Sequence, residues 1–234
     1  SVKKNFSTGE WIDLVRQKIS NIKKRKKVPI IVGGTGLYFK ALTDGFVRIP
    51  KIPIKFRKRI RILHKNIGPK KFFLKLIKLD PLVKNNLNYT DTQRCIRAYE
   101  VKLFTKSSIY DWFKENKSYY EKKDFYKIYI DFPRIELLDK ISLRVKQMIK
   151  NGAVLEVKRF IKMKVHKDQA AYKAIGISEI TEYLQKKIEI NEVKEKISIK
   201  TRQYAKRQST WGRGNMQDWI KMSPFHLNKF LKKI

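Results

Sequence analysis

Three glycines and one threonine, Gly33-Gly34-Thr35-Gly36, form the stretch of this chain that is best suited to hold an anion. The preceding residues 29–32 are apolar and mostly β-branched, which is typical of a buried strand in a parallel sheet. Helical spacing resumes at Leu37. Such a strand-to-helix turn presents backbone N–H groups where α/β proteins bind phosphate. A glycine-rich turn alone is equally consistent with a tight structural turn, so both interpretations stay open.

Positive charge dominates the composition, with 56 lysines and arginines against 21 aspartates and glutamates and a net charge of +35. Nucleic acid is the first partner class that such a charge indicates. Lysine supplies 42 of the 56 basic residues, as in proteins from AT-rich genomes, and we attribute roughly half of the excess to drift. The 14 arginines are more informative, because lysine does not reproduce their fork geometry at a phosphate.

Several classes of protein are excluded by the composition. The 234 residues suit one large domain, or a core with a small insertion, and no run approaches the ~18 apolar residues of a membrane span. The single cysteine, Cys95, is interpreted as a small buried residue; it excludes a disulfide scaffold and favours the cytoplasm. His64, His166 and His226 lie far apart, so we predict no metal site.

The order of the elements predicts a core that is interrupted by an insertion. Ser7 and Glu10 have capping-box spacing ahead of a helix whose apolar face includes Ile12 and Ile19. Prolines at positions 50 and 53 break the pattern, and the following 70 or so residues read as basic helices without strands. We therefore predict an α/β core made of residues 1–49 and 120–234, with a helical insertion over residues 50–119.

The second half of the core is predicted to contain two strands and three helices. Strand character returns over residues 125–132, and a long helix follows Pro133. Further helices are predicted over residues 172–184 and 193–211, and a short strand over 218–220. One basic face of the last long helix carries Arg202, Lys206, Ser209 and Arg213.

Three motifs in this order resemble the tRNA dimethylallyltransferases, also called tRNA isopentenyltransferases. They are Val32-Gly-Gly-Thr-Gly-Leu-Tyr38, Asp91-Thr-Gln-Arg-Cys-Ile-Arg-Ala-Tyr-Glu100 and Thr201-Arg-Gln-Tyr-Ala-Lys-Arg-Gln-Ser-Thr-Trp211. The resemblance runs from about residue 6 to about residue 219. It implies an α/β fold, a P-loop-NTPase-like parallel sheet core with an inserted all-helical subdomain that binds tRNA. It also implies a cytoplasmic monomer that transfers a dimethylallyl group from dimethylallyl diphosphate to the exocyclic amine of the adenine 3′ of the tRNA anticodon.

The resemblance also assigns roles to individual residues. Thr35 matches a catalytic threonine that lines the reaction channel, and Gly33, Gly34 and Arg144 match diphosphate-binding positions. Mg²⁺ is implied, with its ligands outside these residues. The positions that match contacts to the tRNA anticodon stem-loop are Arg57, Gln93, Arg94, Arg97, Lys173, Lys206, Arg207, Gln208 and Arg213. For each cation, the competing interpretation is a solvated surface charge.

Five departures from the family pattern are visible. Gly176-Ile177-Ser178 stands where the family has Gly-Tyr-Arg, Lys140 replaces an arginine, and Gly212 replaces a larger residue. No G-x-x-x-x-G-K-[ST] motif occurs, and no acidic residue occupies the place of the family's general base. From these absences we expect an N-terminally truncated, catalytically inactive chain.

Two alternative functions stay open at this stage. An adenylate dimethylallyltransferase, which modifies a free nucleotide, would not need the basic helical insertion. In a non-enzymatic RNA-binding module, the glycines would form only a turn.

Overall fold

The computed structural model describes Val2, residues 6–167 and residues 169–232. Helices account for most of it, and two short strands form its sheet. In chain order the elements are α1 (Thr8–Lys24), α2 (Gly36–Thr43), α3 (Ile54–Leu79), α4 (Thr92–Thr105), α5 (Ile109–Lys114), β1 (Ile128–Ile130), α6 (Arg134–Lys150), α7 (Ala153–Lys162), α8 (Ile177–Leu184), α9 (Ile190–Asn215), β2 (Ile220–Met222) and α10 (Pro224–Leu231). No helix within the described ranges is both long and apolar enough to cross a lipid bilayer.

The chain divides into two compact units. The first contains the residues up to Lys40 and from Lys123 onwards, and the second is Ala41–Lys122. The sequence pattern places these boundaries at 49/50 and 119/120. The assignment of tRNA binding to the second unit stays a prediction.

Helix α1 begins as its sequence predicts. Ser7 Oγ accepts a hydrogen bond from the Glu10 backbone N–H at 3.2 Å, and Glu10 Oε2 accepts one from the Ser7 backbone N–H at 2.7 Å. These two bonds satisfy N–H groups that a helix start otherwise leaves free. Ile12 and Ile19 of the predicted apolar face are buried, so this prediction is confirmed.

The predicted buried strand over residues 29–32 is not formed. Val28, Ile30 and Val32 are 81%, 76% and 87% exposed, and no described strand pairs with this segment. A strand is stabilised by ladder hydrogen bonds to a neighbour, and a run of apolar residues cannot by itself specify that neighbour. The helix predicted after the glycines does form, as α2.

The sheet consists of β1 and β2, which pair in parallel with Ile128 opposite Ile220 and Ile130 opposite Met222. Both strands are three residues long. The strand predicted over 125–132 is therefore real but shorter, and the one predicted over 218–220 lies two residues further on.

The first unit has its core among helices α6 to α9. Helix α6 confirms the predicted long helix after Pro133, while α7 and α10 were not predicted. Helix α9 extends further at both ends than the predicted residues 193–211. The buried apolar side chains of this core are Val145, Ala153, Val157, Ile180, Val193 and Ile197.

The second unit contains helices without a strand among its described residues. Asp91 caps α4, accepting a hydrogen bond from the Arg94 backbone N–H at 3.3 Å. Helix α3 is kinked at Gly68 and Pro69, where proline removes a helical hydrogen bond. The buried Ser108 hydroxyl donates to Asp80 Oδ2 at 2.7 Å, which joins the start of α5 to the end of α3. Its core is formed by Ile52, Ile60, Phe72, Leu76, Val83, Cys95, Ile96, Ala98, Tyr99, Val101 and Ile109.

Candidate functional site

The glycine-rich turn of the first unit is held by helix α9. Gln208 Nε2 donates a hydrogen bond of 2.8 Å to the backbone carbonyl of Gly34, across 174 residues of sequence. The Trp211 ring packs so closely on Gly36 that a Cβ atom at this position would overlap it. Two of the three motifs therefore form one site.

Aromatic contacts on both sides of this turn fix the start of α2. Tyr38 stacks on Trp11 of α1 with ring centroids 4.5 Å apart, and Phe39 meets Trp219 edge to face at 5.5 Å. Lys40 Nζ donates to Asn215 Oδ1 at 3.4 Å. The turn is thus anchored to α1, to the end of α9 and to the segment before β2.

The structure explains why position 212 holds a glycine, where the family pattern has a larger residue. A Cβ atom at Gly212 would lie 2.6 Å from Cε2 of Tyr129 in β1. Real Cβ atoms do not approach ring carbons so closely, because non-bonded carbon atoms repel each other well inside about 3.5 Å. Glycine at 212 therefore lets α9 lie against β1, a contact that the sequence motif did not reveal.

Thr35 lies in the turn with its side chain exposed to solvent. The Tyr38 backbone N–H donates to the Thr35 carbonyl at 3.0 Å, so the Thr35 backbone begins α2. Within the described ranges, no group forms a hydrogen bond with the Thr35 hydroxyl. The side chain is therefore free to contact a ligand and does not cap the helix.

The basic residues predicted on α9 face solvent. Lys206, Arg207 and Arg213 are exposed, and the Arg207 guanidinium lies 5.8 Å from the ring centroid of Tyr204. Gln208, predicted as a tRNA contact, already uses one amide N–H on Gly34. The roles of these four residues toward RNA stay predictions.

Arg144 is exposed on α6, four residues after Lys140. Side chains at this spacing share one face of a helix. Lys140 Nζ lies 5.2 Å from the ring centroid of Phe132, which orients its ammonium group. The two cations thus form an exposed pair, and the diphosphate role of Arg144 stays a prediction.

The predicted tRNA contacts of the second unit fall into two groups. Gln93 and Arg94 are exposed at the start of α4, where Arg94 Nη1 lies 3.3 Å from Asp91 Oδ2. Arg57 and Arg97 instead hold the buried carboxylate of Glu100. Glu100 ends one of the three motifs but was not predicted as a site residue, because sequence alone does not reveal that three cations surround it.

Lys173 is exposed in the 3₁₀ turn Ala170–Lys173, ahead of the segment that departs from the family. In that segment Glu179 Oε2 accepts a hydrogen bond from the Gly176 backbone N–H at 2.9 Å, and Lys200 contacts Glu179 Oε1. Lys200 also lies 3.4 Å from Ser178 Oγ. A cation from α9 is therefore present beside the serine that replaces the family's arginine.

The charge of Glu179 contributes to the stability of this segment. Burial alone would raise its pKa, but Lys200 and the backbone N–H groups of residues 176 and 179 outweigh burial and hold the pKa below its ordinary value. Because the folded-state pKa is the lower one, the ionised group stabilises the fold above its unfolded pKa. That contribution is lost as pH falls through the lowered value.

No cluster of three or more His, Cys, Asp or Glu side chains suited to a metal ion occurs within the described ranges. Mg²⁺ in proteins is usually held by carboxylates together with substrate phosphates. No described residue is therefore assigned as a Mg²⁺ ligand.

The fold and the site define a class: a strongly basic, mostly helical protein with a small parallel sheet and a glycine turn held by a long helix. The chain matches the model of the IPP transferase family over residues 1–215. It is 53% identical over 229 residues to the tRNA dimethylallyltransferase of Pelagibacter ubique, covering 98% of this chain and 73% of that protein. It is 37% identical to the Rickettsia massiliae tRNA dimethylallyltransferase, of which it spans 65%. The chain belongs to the IPP transferase family.

Solved structures agree with this assignment. The full-length tRNA isopentenylpyrophosphate transferase of Bacillus halodurans superposes with a TM-score of 0.60 and 27% identity, over 95% of this chain and 69% of that one. A eukaryotic dimethylallyltransferase acting on tRNA has a TM-score of 0.78 at 23% identity, over 95% and 57% of the two chains, and shows likeness of fold alone.

Proposed function

We propose that this protein takes part in tRNA modification, by transfer of a dimethylallyl group from dimethylallyl diphosphate to the exocyclic amine of the adenine 3′ of the anticodon. The observation that carries the proposal is the hydrogen bond from Gln208 to Gly34. It joins the motif that matches the family's reaction channel to the motif that matches its tRNA contacts. The reaction itself is inferred from membership of the IPP transferase family.

The reaction explains why such a site needs a hydroxyl and several cations. The adenine amine forms a bond to the allylic carbon, the bond from that carbon to diphosphate oxygen breaks, and a base takes the amine proton. We propose that the Thr35 hydroxyl, which no described group engages, hydrogen-bonds the bridging oxygen or the incoming amine. Arg144, with Lys140 beside it, offers positive charge for the departing diphosphate.

The target adenine is stacked in the anticodon loop and must leave the stack to react. Gln93 and Arg94 in the second unit, and Lys206, Arg207 and Arg213 in the first, are proposed to contact the RNA. The core is proposed to be P-loop-NTPase-like, and the parallel pairing of β1 and β2 across intervening helices is consistent with it. A tRNA substrate favours a cytoplasmic protein. We also propose that the protein is a monomer.

The Mg²⁺ that the resemblance implies is assigned no step, because no described residue is assigned as its ligand. A free adenylate substrate is disfavoured, because it would leave the exposed cations of α4 and α9 without a phosphate backbone to contact. A non-enzymatic RNA-binding module would bind the stem-loop without transferring a group to it.

Binding of an anticodon stem-loop tests the tRNA part of the proposal with the chain as it stands. We expect the chain to bind it more tightly than a hairpin of equal length and different loop. Arg94→Ala should weaken binding and reduce the slope of log K against log[salt] by about 0.7–0.9 for each phosphate that the variant no longer neutralises. Titrations by fluorescence anisotropy at several salt concentrations measure both quantities.

The matched control is Arg159→Ala, which removes the same charge from an exposed position on α7 to which no RNA contact is assigned. Equal affinity for the two hairpins would contradict tRNA recognition. Equal salt slopes for the two variants would show that Arg94 is only a surface charge.

A further inference from the structure

Glu100 places a buried carboxylate beneath three arginines in the second unit. Its side chain is 1% exposed. Glu100 Oε2 accepts hydrogen bonds from Arg57 Nε at 3.2 Å and from Arg97 Nη1 at 3.5 Å, and Arg61 Nε lies 4.0 Å from Oε1. Arg57 and Arg61 come from successive turns of α3, and Arg97 lies one turn before Glu100 on α4.

The three guanidinium groups are only partly covered. Their side chains are 41%, 54% and 39% exposed for Arg57, Arg61 and Arg97. Each guanidinium has five N–H donors in a planar fork, and the contacts to Glu100 use a minority of them. Three positive charges face one negative charge, so the cluster keeps a net charge of +2 and free donors toward solvent.

Among the described residues, Glu100 is the only carboxylate that pairs with these three arginines. Burial and the like charge of Arg57 hold the pKa of the Arg97 guanidinium below its ordinary value, although Glu100 raises it. A buried ion cluster is also weak evidence for stability, since well-packed apolar residues are often at least as stable in its place. The arrangement therefore calls for a role beyond holding α3 against α4.

We propose that Arg57, Arg61 and Arg97 together bind one phosphate group of the RNA backbone, and that Glu100 is the positioning residue that holds their guanidinium groups in one place. The family resemblance assigns RNA contacts to Arg57 and Arg97 separately; Arg61, Glu100 and the shared phosphate are new. The oxygens of a single phosphate group can accept hydrogen bonds from the free N–H groups of the three guanidinium groups. The inference rests on the proposed function, because the phosphate belongs to the anticodon stem-loop.

The direction in which Glu100→Gln changes RNA affinity distinguishes two explanations. Glu100 either positions the arginines or only reduces the positive charge of the cluster. The substitution keeps the size of the side chain and makes the protein more positive. If the arginines act only as diffuse charge, RNA binding becomes tighter. If Glu100 positions them, binding becomes weaker, and we expect stem-loop affinity to fall by about three- to tenfold.

Arg61→Gln and Arg59→Gln form a matched pair on α3. Both remove one positive charge, but Arg59 is exposed and makes no ion pair with a described residue. We expect Arg61→Gln to weaken binding more and to reduce the salt slope by about 0.7–0.9. In the Glu100→Gln background, Arg61→Gln should have a smaller effect than in the wild type, because the guanidinium is no longer held in place.

Binding isotherms and thermal melting of each variant decide the outcome. Tighter or unchanged binding by Glu100→Gln, or equal effects of the two α3 variants, would overturn the inference. Should Glu100→Gln fail to fold, the α3 pair still tests it, because both α3 variants keep Glu100 and its hydrogen bonds to Arg57 and Arg97. Failure of the wild type to bind the stem-loop would instead overturn the proposed function.

Discussion

Replacement of Thr35 by valine should slow dimethylallyl transfer by on the order of a hundred- to a thousandfold while leaving affinity for the stem-loop almost unchanged. Valine keeps the size of the side chain and removes only the hydroxyl, which no described group engages. Removal of a donor that acts mainly in the transition state raises the activation barrier by about 2.7–4 kcal/mol. Single-turnover transfer should be measured in a chimaera that supplies the part of the Pelagibacter ubique relative that this chain does not span.

Thr35→Ser is the matched control, because it keeps the hydroxyl and should retain most of the activity. Thermal melting of the same proteins distinguishes a catalytic role from a contribution to stability. A lowered melting temperature of Thr35→Val with nearly normal transfer would mean that the hydroxyl contributes to stability and that its catalytic assignment is wrong.

Gly36→Ala should destabilise the first unit and separate the glycine turn from α9. The added Cβ would overlap the Trp211 ring, so either the ring or the start of α2 must move. Overpacking of this kind costs about 1–3 kcal/mol in the free energy of unfolding. Because Thr35 is the neighbouring residue, transfer in the chimaera should fall as well. Denaturant unfolding of the chain measures the stability change directly.

The same substitution at Gly214 is its control. Gly214 lies in α9, and a Cβ there would have no atom within 4 Å apart from its chain neighbours and the backbone of its own helix. Gly214→Ala should therefore stabilise the chain by about 0.5–1 kcal/mol through reduced backbone entropy in the unfolded state. Similar stabilities of the two variants would contradict the packing of Trp211 on Gly36.

Local patterns allowed most of the helices to be predicted. The capping box at Ser7 and the N-cap at Asp91 act within one turn, so their residues are neighbours in the sequence. The strand predicted over residues 29–32 failed because strand formation depends on a partner elsewhere in the chain. Helix α10 was missed although Ser223 and Pro224 give an N-cap followed by proline at the first helical position.

The candidate site could be predicted residue by residue but not as an arrangement. The motifs identified Gly34 and Gln208 separately, and nothing in the sequence predicted that they share a hydrogen bond. The contacts of Glu100 were likewise not predictable from the sequence. Its neighbour Arg97 is local, but Arg57 and Arg61 approach it only because α3 packs on α4. Such contacts follow from tertiary packing, which periodicity and spacing do not specify.

Mass analysis of an anticodon stem-loop after incubation with the chimaera and dimethylallyl diphosphate is the most direct test of tRNA modification. Two RNAs should be compared, one with adenine and one with guanine immediately 3′ of the anticodon. We expect the adenine RNA to gain one dimethylallyl group at that base and the guanine RNA to stay unmodified. A chimaera that melts cooperatively and binds the adenine stem-loop, yet leaves it unmodified, would contradict the proposed transfer.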